Sequence, residues 1–357
     1  MQLTRFEVTN LRIIETATLL PEGGVNLIAG ANGSGKSSLL EGIHLIGTGR
    51  SFRSRRAEEF IRHGQRSLTV HARVQESGGE EMPVGVEKRA RSTRIRVSEE
   101  AVRSAAALAR RIPVIVILPE SQRLISDGAE LRRQFLDWGL FHVEPGYVAA
   151  FQSYRRVLKQ RNAQLRAHAS PSVLAPWDAE LGNTGEQLHW LRVGHLDSML
   201  ERVGNLVAEI TGREVSIHYS PGWDIKEPLA EAAARTLARD AVRGHTGVGP
   251  HRADLELLIG GVPVQRVLSR GEAKLFCFAL WLAQAHEYQQ QAARTPLILI
   301  DDLASELDAA NQARVFESLS KLGAQTFVTT VSNDLLRAFP GPLKTFHVER
   351  GQVSEMV

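Results

Sequence analysis

Residues 30–37 read Gly30-Ala31-Asn32-Gly33-Ser34-Gly35-Lys36-Ser37, and this octet decides the fold. It has the G-x-x-x-x-G-K-S form of a phosphate-binding loop, and its surroundings are those the loop requires. Val25, Leu27, Ile28 and Ala29 form a short apolar run that fits a buried strand, while Leu39, Leu40, Ile43 and Ile46 recur at helical spacing just after it. In a strand–loop–helix unit the glycines let backbone N–H groups converge on a phosphate at a helix N-terminus. Lys36 adds a point charge toward the β- and γ-phosphates, and Ser37 offers a hydroxyl to Mg²⁺. The expected ligand is a nucleoside triphosphate, ATP with Mg²⁺, held by residues 30–37.

The remaining composition bounds what such a loop can serve. A length of 357 residues allows about two domains with real cores, and 43% apolar with 23% charged residues is ordinary for a soluble chain. No uncharged apolar stretch reaches the roughly 18–20 residues that span a bilayer, so no membrane partner is expected. Charges in Met-Gln-Leu-Thr-Arg-Phe-Glu stand where a secretory signal would be apolar, which points to the cytoplasm. A single cysteine, Cys277, lies among Leu275, Phe276, Phe278 and Leu280 and reads as a small core residue. Net charge is only +3, but arginine is clustered at 50, 53, 55 and 56, at 89, 91, 94 and 96, and at 155, 156 and 161. Its planar fork suits phosphate recognition.

Along the chain, Leu3, Phe6 and Val8 suggest a half-buried opening strand, and short alternating runs through residues 67–97 suggest an antiparallel sheet near the nucleotide. Ile112 to Leu118 reads as a buried strand ending at Pro119. From about Gly128 to Gly212 the pattern turns helical, with Phe151, Tyr154, Leu158 and Leu165 on one face and Leu196, Met199, Val203, Val207 and Ile210 on another. After Gly249-Pro250-His251 come a hairpin through Leu255 to Val264, a helix from about Gly271, and strands at 297–300 and 326–331.

Leu297-Ile298-Leu299-Ile300-Asp301-Asp302 is an apolar strand ending in carboxylates, the Walker B arrangement that sets an acid beside the P-loop to hold Mg²⁺ with Ser37. Most of the chain separates it from Lys36, so a helical block must be inserted within one nucleotide-binding fold. Leu268-Ser269-Arg270-Gly271-Glu272 opens an apolar helix, and Ser305-Glu306-Leu307-Asp308 follows the Walker B strand. Together these elements resemble the ABC ATPases. That resemblance implies that Ser269 contacts the γ-phosphate bound by a second subunit, in an ATP-dependent homodimer; a helix cap is the alternative for Ser269 read alone.

The resemblance narrows with residues 46–53 (Ile-Gly-Thr-Gly-Arg-Ser-Phe-Arg), 131–137 (Leu-Arg-Arg-Gln-Phe-Leu-Asp), Gln160-Arg161-Asn162, Gly249-Pro250-His251-Arg252 and 301–308. In order and spacing, over nearly the whole chain, these look like the RecF family of bacterial repair proteins. The resemblance implies an α/β, ABC-type P-loop ATPase head with an inserted, mostly helical lobe and no long coiled coil, the lobes spanning 1–118 with 246–357 and 119–245. It further implies binding to single- and double-stranded DNA, gapped junctions included, and cooperation with RecO and RecR in loading RecA, within SOS-inducible repair and replication. Two departures stand out: Glu272 replaces the usual glutamine after the signature glycine, and Ser121 the usual aspartate of Pro-Glu-Asp.

Several assignments carry an alternative. Asp302 is either the carboxylate that orients water, its short side chain predicting slow hydrolysis, or a supporting structural acid. Arg50, Arg53, Arg55 and Arg56 are the candidate DNA contacts, with Arg132 and Arg133 as a second contribution, against a solvated basic face. Phe52 reads as a core aromatic. His245, His251 and Asp254 have irregular spacing and fit turn stabilisation better than a metal site. An ABC-type ATPase driving a non-DNA partner, such as a transporter, is the rival function.

Overall fold

A computed structural model of the chain describes residues 1–76, 79–98, 100–102, 104–331, 339, 341 and 343–356. Its contacts fall into two units, Met1–Gln122 with Arg270–Val357, and Arg123–Ser269.

The first unit is built on two six-stranded sheets. One runs, in spatial order, Gln352–Met356, Leu343–Glu349, Val25–Ala29, Thr326–Thr330, Leu297–Ile300 and Val114–Ile117. All neighbours are parallel except the first pair. Every residue of Val25–Ala29, Leu297–Ile300 and Thr326–Thr330 is buried. Parallel strands covered on both faces read as unbroken apolar runs, which is why the sequence betrays them without alternation. Their carboxyl ends carry the P-loop, Thr329 and Thr330, and Asp301 and Asp302, at the sheet edge where open α/β sheets bind ligands.

The other sheet is antiparallel, in the order Ile14–Leu19, Gln2–Leu11, Ser67–Gln75, Glu81–Arg89, Ser92–Val97 and Glu100–Ala101. Leu3, Phe6 and Val8 all face the core although two residues, Thr4 and Arg5, separate the first two. A register shift between Leu3 and Arg5 restores the phase, as a bulged residue does. Helix Lys36–Thr48 packs against strands of both sheets and is buried along nearly its whole length. Gly47 shows how close that packing is: a Cβ there would sit 2.2 Å from Val114 Cγ2 and 2.8 Å from the Ile112 carbonyl oxygen.

The second unit holds helices Ala129–Val143, Tyr147–Arg166, Pro171–Thr211, Leu229–Arg235 and Leu237–Arg243. Ser170 and Pro171 start the 41-residue helix, the proline at a first-turn position where its missing N–H costs nothing. That helix packs on Tyr147–Arg166 and Leu229–Arg235, and no long coiled coil forms among the described residues. A three-stranded sheet of Val262–Pro263, Asp254–Ile259 and Ser216–Ser220 completes the unit. The contacts place the divisions after 122 and 269, where the sequence suggests 118 and 245. The hairpin at 254–263 goes with the helical unit because Leu255 pairs with Tyr219 and Leu257 with Ile217. Among the described residues, no helix is long and apolar enough to cross a membrane.

Candidate functional site

The P-loop is shaped by close backbone approach. A Cβ on Gly30 would lie 2.3 Å from the Val348 carbonyl oxygen, and Gly35, with φ of 117°, precedes the first helical residue, Lys36. The loop is braced from outside by the turn that joins the last two strands, where the Gly351 N–H donates to the Ser34 carbonyl at 2.8 Å. Lys36 is buried, with Nζ donating to the carbonyls of Gly30 at 2.8 Å and Ala31 at 2.9 Å. Burial lowers its pKa from the usual lysine value, and the Asp302 and Asp301 carboxylates oppose that shift.

Ser37, the next residue, reaches the Walker B strand, its hydroxyl donating to Asp301 Oδ1 at 2.9 Å. Thr329, at the end of the strand between them, donates to the same oxygen at 2.6 Å, and its own Oγ1 accepts the Asp302 N–H at 2.8 Å. Thr330 ties the sheet to the loop, its carbonyl accepting from the Gly30 N–H at 3.2 Å. Sequence reasoning passed over these two threonines. Their signal was a β-branched pair with hydroxyls following Phe327 and Val328 at the end of a wholly buried strand.

Asp302 has φ of 57°, a left-handed conformation that costs a non-glycine residue energy and that clusters at functional sites. Its Oδ2 accepts from the Ser305 hydroxyl at 2.6 Å, while Oδ1 is buried without a hydrogen-bond partner, as is Ser34 Oγ. Both belong to the shell around Lys36 and Asp301. Orphaned acceptors and donors beside a buried lysine fit a ligand rich in oxygen and negative charge. Among the described residues no group of three or more His, Cys, Asp or Glu side chains could hold a metal by itself. The Ser37 and Asp301 oxygens instead make half a site for a hard cation such as Mg²⁺, which typically takes one or two carboxylates and completes its shell with phosphate and water.

Ser269 is exposed and stands directly before helix Arg270–Ala292, whose first residues, Arg270 and Gly271, are exposed as well. Lys274 in that helix pairs with Glu306 at 3.0 Å, joining it to the segment after Asp302. Asp308 caps the helix Ala309–Leu322 by accepting the Asn311 N–H at 2.9 Å. Ser121 also serves a turn, since its Oγ accepts the Leu118 N–H at 2.9 Å. Cys277 is buried, its thiol donating to the Ser121 carbonyl and its pKa pushed up to about 12 by burial.

The arginines divide sharply. Arg50, Arg53, Arg55 and Arg56 are all exposed, and among the described residues no carboxylate pairs with any of them. Phe52 packs partly buried beneath them, edge-on to His44 with ring centroids 5.3 Å apart. Arg132 and Arg133 do not form a second contact surface. Arg132 is buried and bonds both oxygens of Asp254, at 2.7 and 2.9 Å, and Arg133 donates to the Ala253 carbonyl at 2.7 Å. Arg161, clustered in sequence with Arg155 and Arg156, is fully buried between Asp178 and Asp240. His251 is held by the Tyr154 hydroxyl at 2.6 Å and the Thr246 carbonyl at 3.0 Å, and burial lowers its pKa to about 4. With Asp254 taken by Arg132, these residues stabilise turns.

Comparison with known proteins follows the same lines. Residues 2–354 match the family model described as the RecF/RecN/SMC N-terminal domain. A protein of Thioalkalivibrio sulfidiphilus named DNA replication and repair protein RecF is 41% identical, with 98% of each chain covered. Its namesake in Shewanella baltica is 39% identical, with 99% of each chain covered. Among solved structures, one of the recombination mediator protein RecF with ATP, in the RecFOR pathway, superposes with a TM-score of 0.88 at 26% identity, covering 99% of this chain and 97% of that one. An SMC head bound to the C-terminal winged-helix domain of ScpA superposes at 0.61 with 14% identity, covering 100% and 98%, a likeness of fold alone.

Proposed function

The chain belongs to the RecF/RecN/SMC N-terminal domain family, among its RecF members, and from that premise we propose that it is an ATP-switched DNA-binding protein of recombinational repair and replication. The observation that carries the proposal is the joint set of Lys36, Ser37, Asp301 and Thr329 at the ends of three neighbouring parallel strands. Residues 30–37 would hold ATP. Lys36 exchanges its bonds to the Gly30 and Ala31 carbonyls for phosphate oxygens, and the Ser34 hydroxyl gains an acceptor. Mg²⁺ at Ser37 and Asp301 would supply charge neutralisation for the β- and γ-phosphates. Asp302 Oδ1 accepts a hydrogen bond from the attacking water and orients it, while Ser305 holds the other oxygen. An aspartate reaches less far than a glutamate would, so turnover is slow and ATP works as a timed latch.

The exposed Ser269-Arg270-Gly271 start of a helix supports completion of the site by a second copy, Ser269 of one chain reaching the γ-phosphate held by the other. Exposed Arg50, Arg53, Arg55 and Arg56 support contact with nucleic-acid backbone rather than base edges. The partners proposed are single- and double-stranded DNA at gaps, then RecR, RecO and RecA, in the cytoplasm.

The test is oligomeric state by light scattering with ATP, ADP or no nucleotide, with and without gapped duplex. Dimers with ATP alone, stabilised by gapped DNA, are expected, together with DNA-stimulated hydrolysis. A chain that stays monomeric with ATP and whose hydrolysis ignores DNA would overturn the reading in favour of an ATPase serving another partner.

A further inference from the structure

Glu41 lies in the second turn of the P-loop helix, with its side chain wholly buried. Arg12, in the turn between the first two strands, approaches it with two nitrogens, Nη2 lying 2.9 Å from Oε1 and Nε bonding Oε2. That bidentate pair balances the charge. A third bond is therefore unnecessary for neutrality, yet Oε1 also accepts the hydroxyl of Ser51.

Ser51 is the start of the arginine loop, and its oxygen is used on both sides. While donating to Glu41, it accepts the N–H groups of Arg53 at 3.0 Å and Ser54 at 2.9 Å. Ser54 repeats the device, accepting the Arg56 N–H at 3.2 Å and donating to Glu59. Arg12 closes the far end by donating to the Glu59 carbonyl at 3.1 Å. The near end is fixed to the same helix, since the Arg50 carbonyl accepts from His44 Nδ1 at 2.8 Å and Thr48 Oγ1 at 3.0 Å. Burial lowers the His44 pKa to about 4, which keeps the imidazole neutral at this contact. Four exposed arginines thus sit on a loop braced internally by the Ser51 and Ser54 hydroxyls and tied to the helix that begins at Lys36 through the Arg50 carbonyl and the Ser51–Glu41 bond.

We propose that Glu41 and Ser51 are positioning residues that lock the arginine loop to the P-loop helix, so that the nucleotide held at Lys36 sets how Arg50, Arg53, Arg55 and Arg56 meet a nucleic-acid backbone. The inference rests on the DNA-binding reading above. Nucleotide binding itself does not need the lock, because neither side chain belongs to the set around Lys36 and Asp301. Removing it frees the loop, and the arginines then pay ordering entropy on binding that the folded loop has already met.

The experiment uses the full chain and a fluorescent gapped duplex, titrated with ATP and with ADP across a salt series. Ser51→Ala should weaken DNA binding with ATP about five- to tenfold, the size of one ordinary hydrogen bond lost. It should also shrink the ratio of affinities between the ATP and ADP states, with affinity for a fluorescent ATP analogue unchanged. Ser51→Thr, which keeps the hydroxyl, should restore the ratio, and a merely structural role would not. Replacing all four arginines by alanine should flatten the salt slope by about 0.9 per lost phosphate contact on duplex. If that variant loses the slope while Ser51→Ala keeps the full ATP-to-ADP ratio, the lock is refuted and the DNA site stands. If the four-arginine variant binds with unchanged slope, the arginine site falls, and the lock with it.

Discussion

Arg161 and Lys36 are both buried cations, and their surroundings could hardly differ more. Arg161 makes four hydrogen bonds, to Asp178 at 2.6 Å, Asp240 at 3.1 Å, Thr246 at 2.8 Å and the Ala233 carbonyl at 3.1 Å. Lys36 faces two backbone carbonyls, with an unpartnered Ser34 hydroxyl and Asp302 oxygen nearby. A satisfied buried charge is architecture, because everything that stabilises it is already in the chain. An under-satisfied cluster of polar groups is poised for something the chain does not contain. The two units therefore use the same currency of buried polarity for opposite ends.

Removing each cation separates the two cases most sharply. Arg161→Ala leaves the carboxylates of Asp178 and Asp240 buried without their shared cation, and removing one partner of a buried pair costs about 3–5 kcal/mol. At roughly 2–4 °C of Tm for each 1 kcal/mol in a domain of this size, a fall of ~10 °C or more is expected by calorimetry. Lys36→Ala should leave Tm within ~2 °C yet abolish ATP binding. An Arg161 variant of undiminished Tm would mean that the hub is not the anchor its bonds suggest.

Asp302→Asn is the next largest effect. It preserves shape and the left-handed backbone, which asparagine also tolerates. Loss of a positioned carboxylate lowers hydrolysis by about 10²-fold. ATP affinity should hold and the ATP dimer should persist longer, read by single-turnover phosphate release alongside light scattering. Unchanged hydrolysis would reassign Asp302 as a partner for Ser305 alone.

What could be read in the sequence follows the same division. The P-loop, the strand before it and the Walker B strand are local patterns, each set by a few consecutive residues, and the octet 30–37 and Leu297–Asp302 announce them without help. The arginines are another matter. Arg132 and Arg53 are alike in residue type, and it is the pairing with Asp254, 122 residues along the chain, that neutralises Arg132 and makes it an internal strut. Thr329 escapes for the same reason, since its bond to Asp301 is made across a strand pairing that sequence spacing does not encode. The boundary at 269 depended on the pairing of the 254–258 strand, legible as part of a hairpin, with residues 216–220, a segment too short and too polar to stand out against the helices around it.

Asp308 tests the comparison at its finest grain. It closes the segment 305–308 that follows the Walker B strand, yet its carboxylate is bonded by the Asn311 N–H and side chain, as in a helix cap. Asp308→Ala should cost about 1 kcal/mol in denaturant unfolding through loss of that cap. Asp308→Asn caps as well as aspartate but carries no charge, so it should hold stability at the native value. If it also keeps the ATP-dependent dimer, Asp308 is architecture like Arg161. If the dimer weakens while stability holds, the carboxylate is spent on a second chain, and a residue satisfied within its own helix would still belong with Lys36.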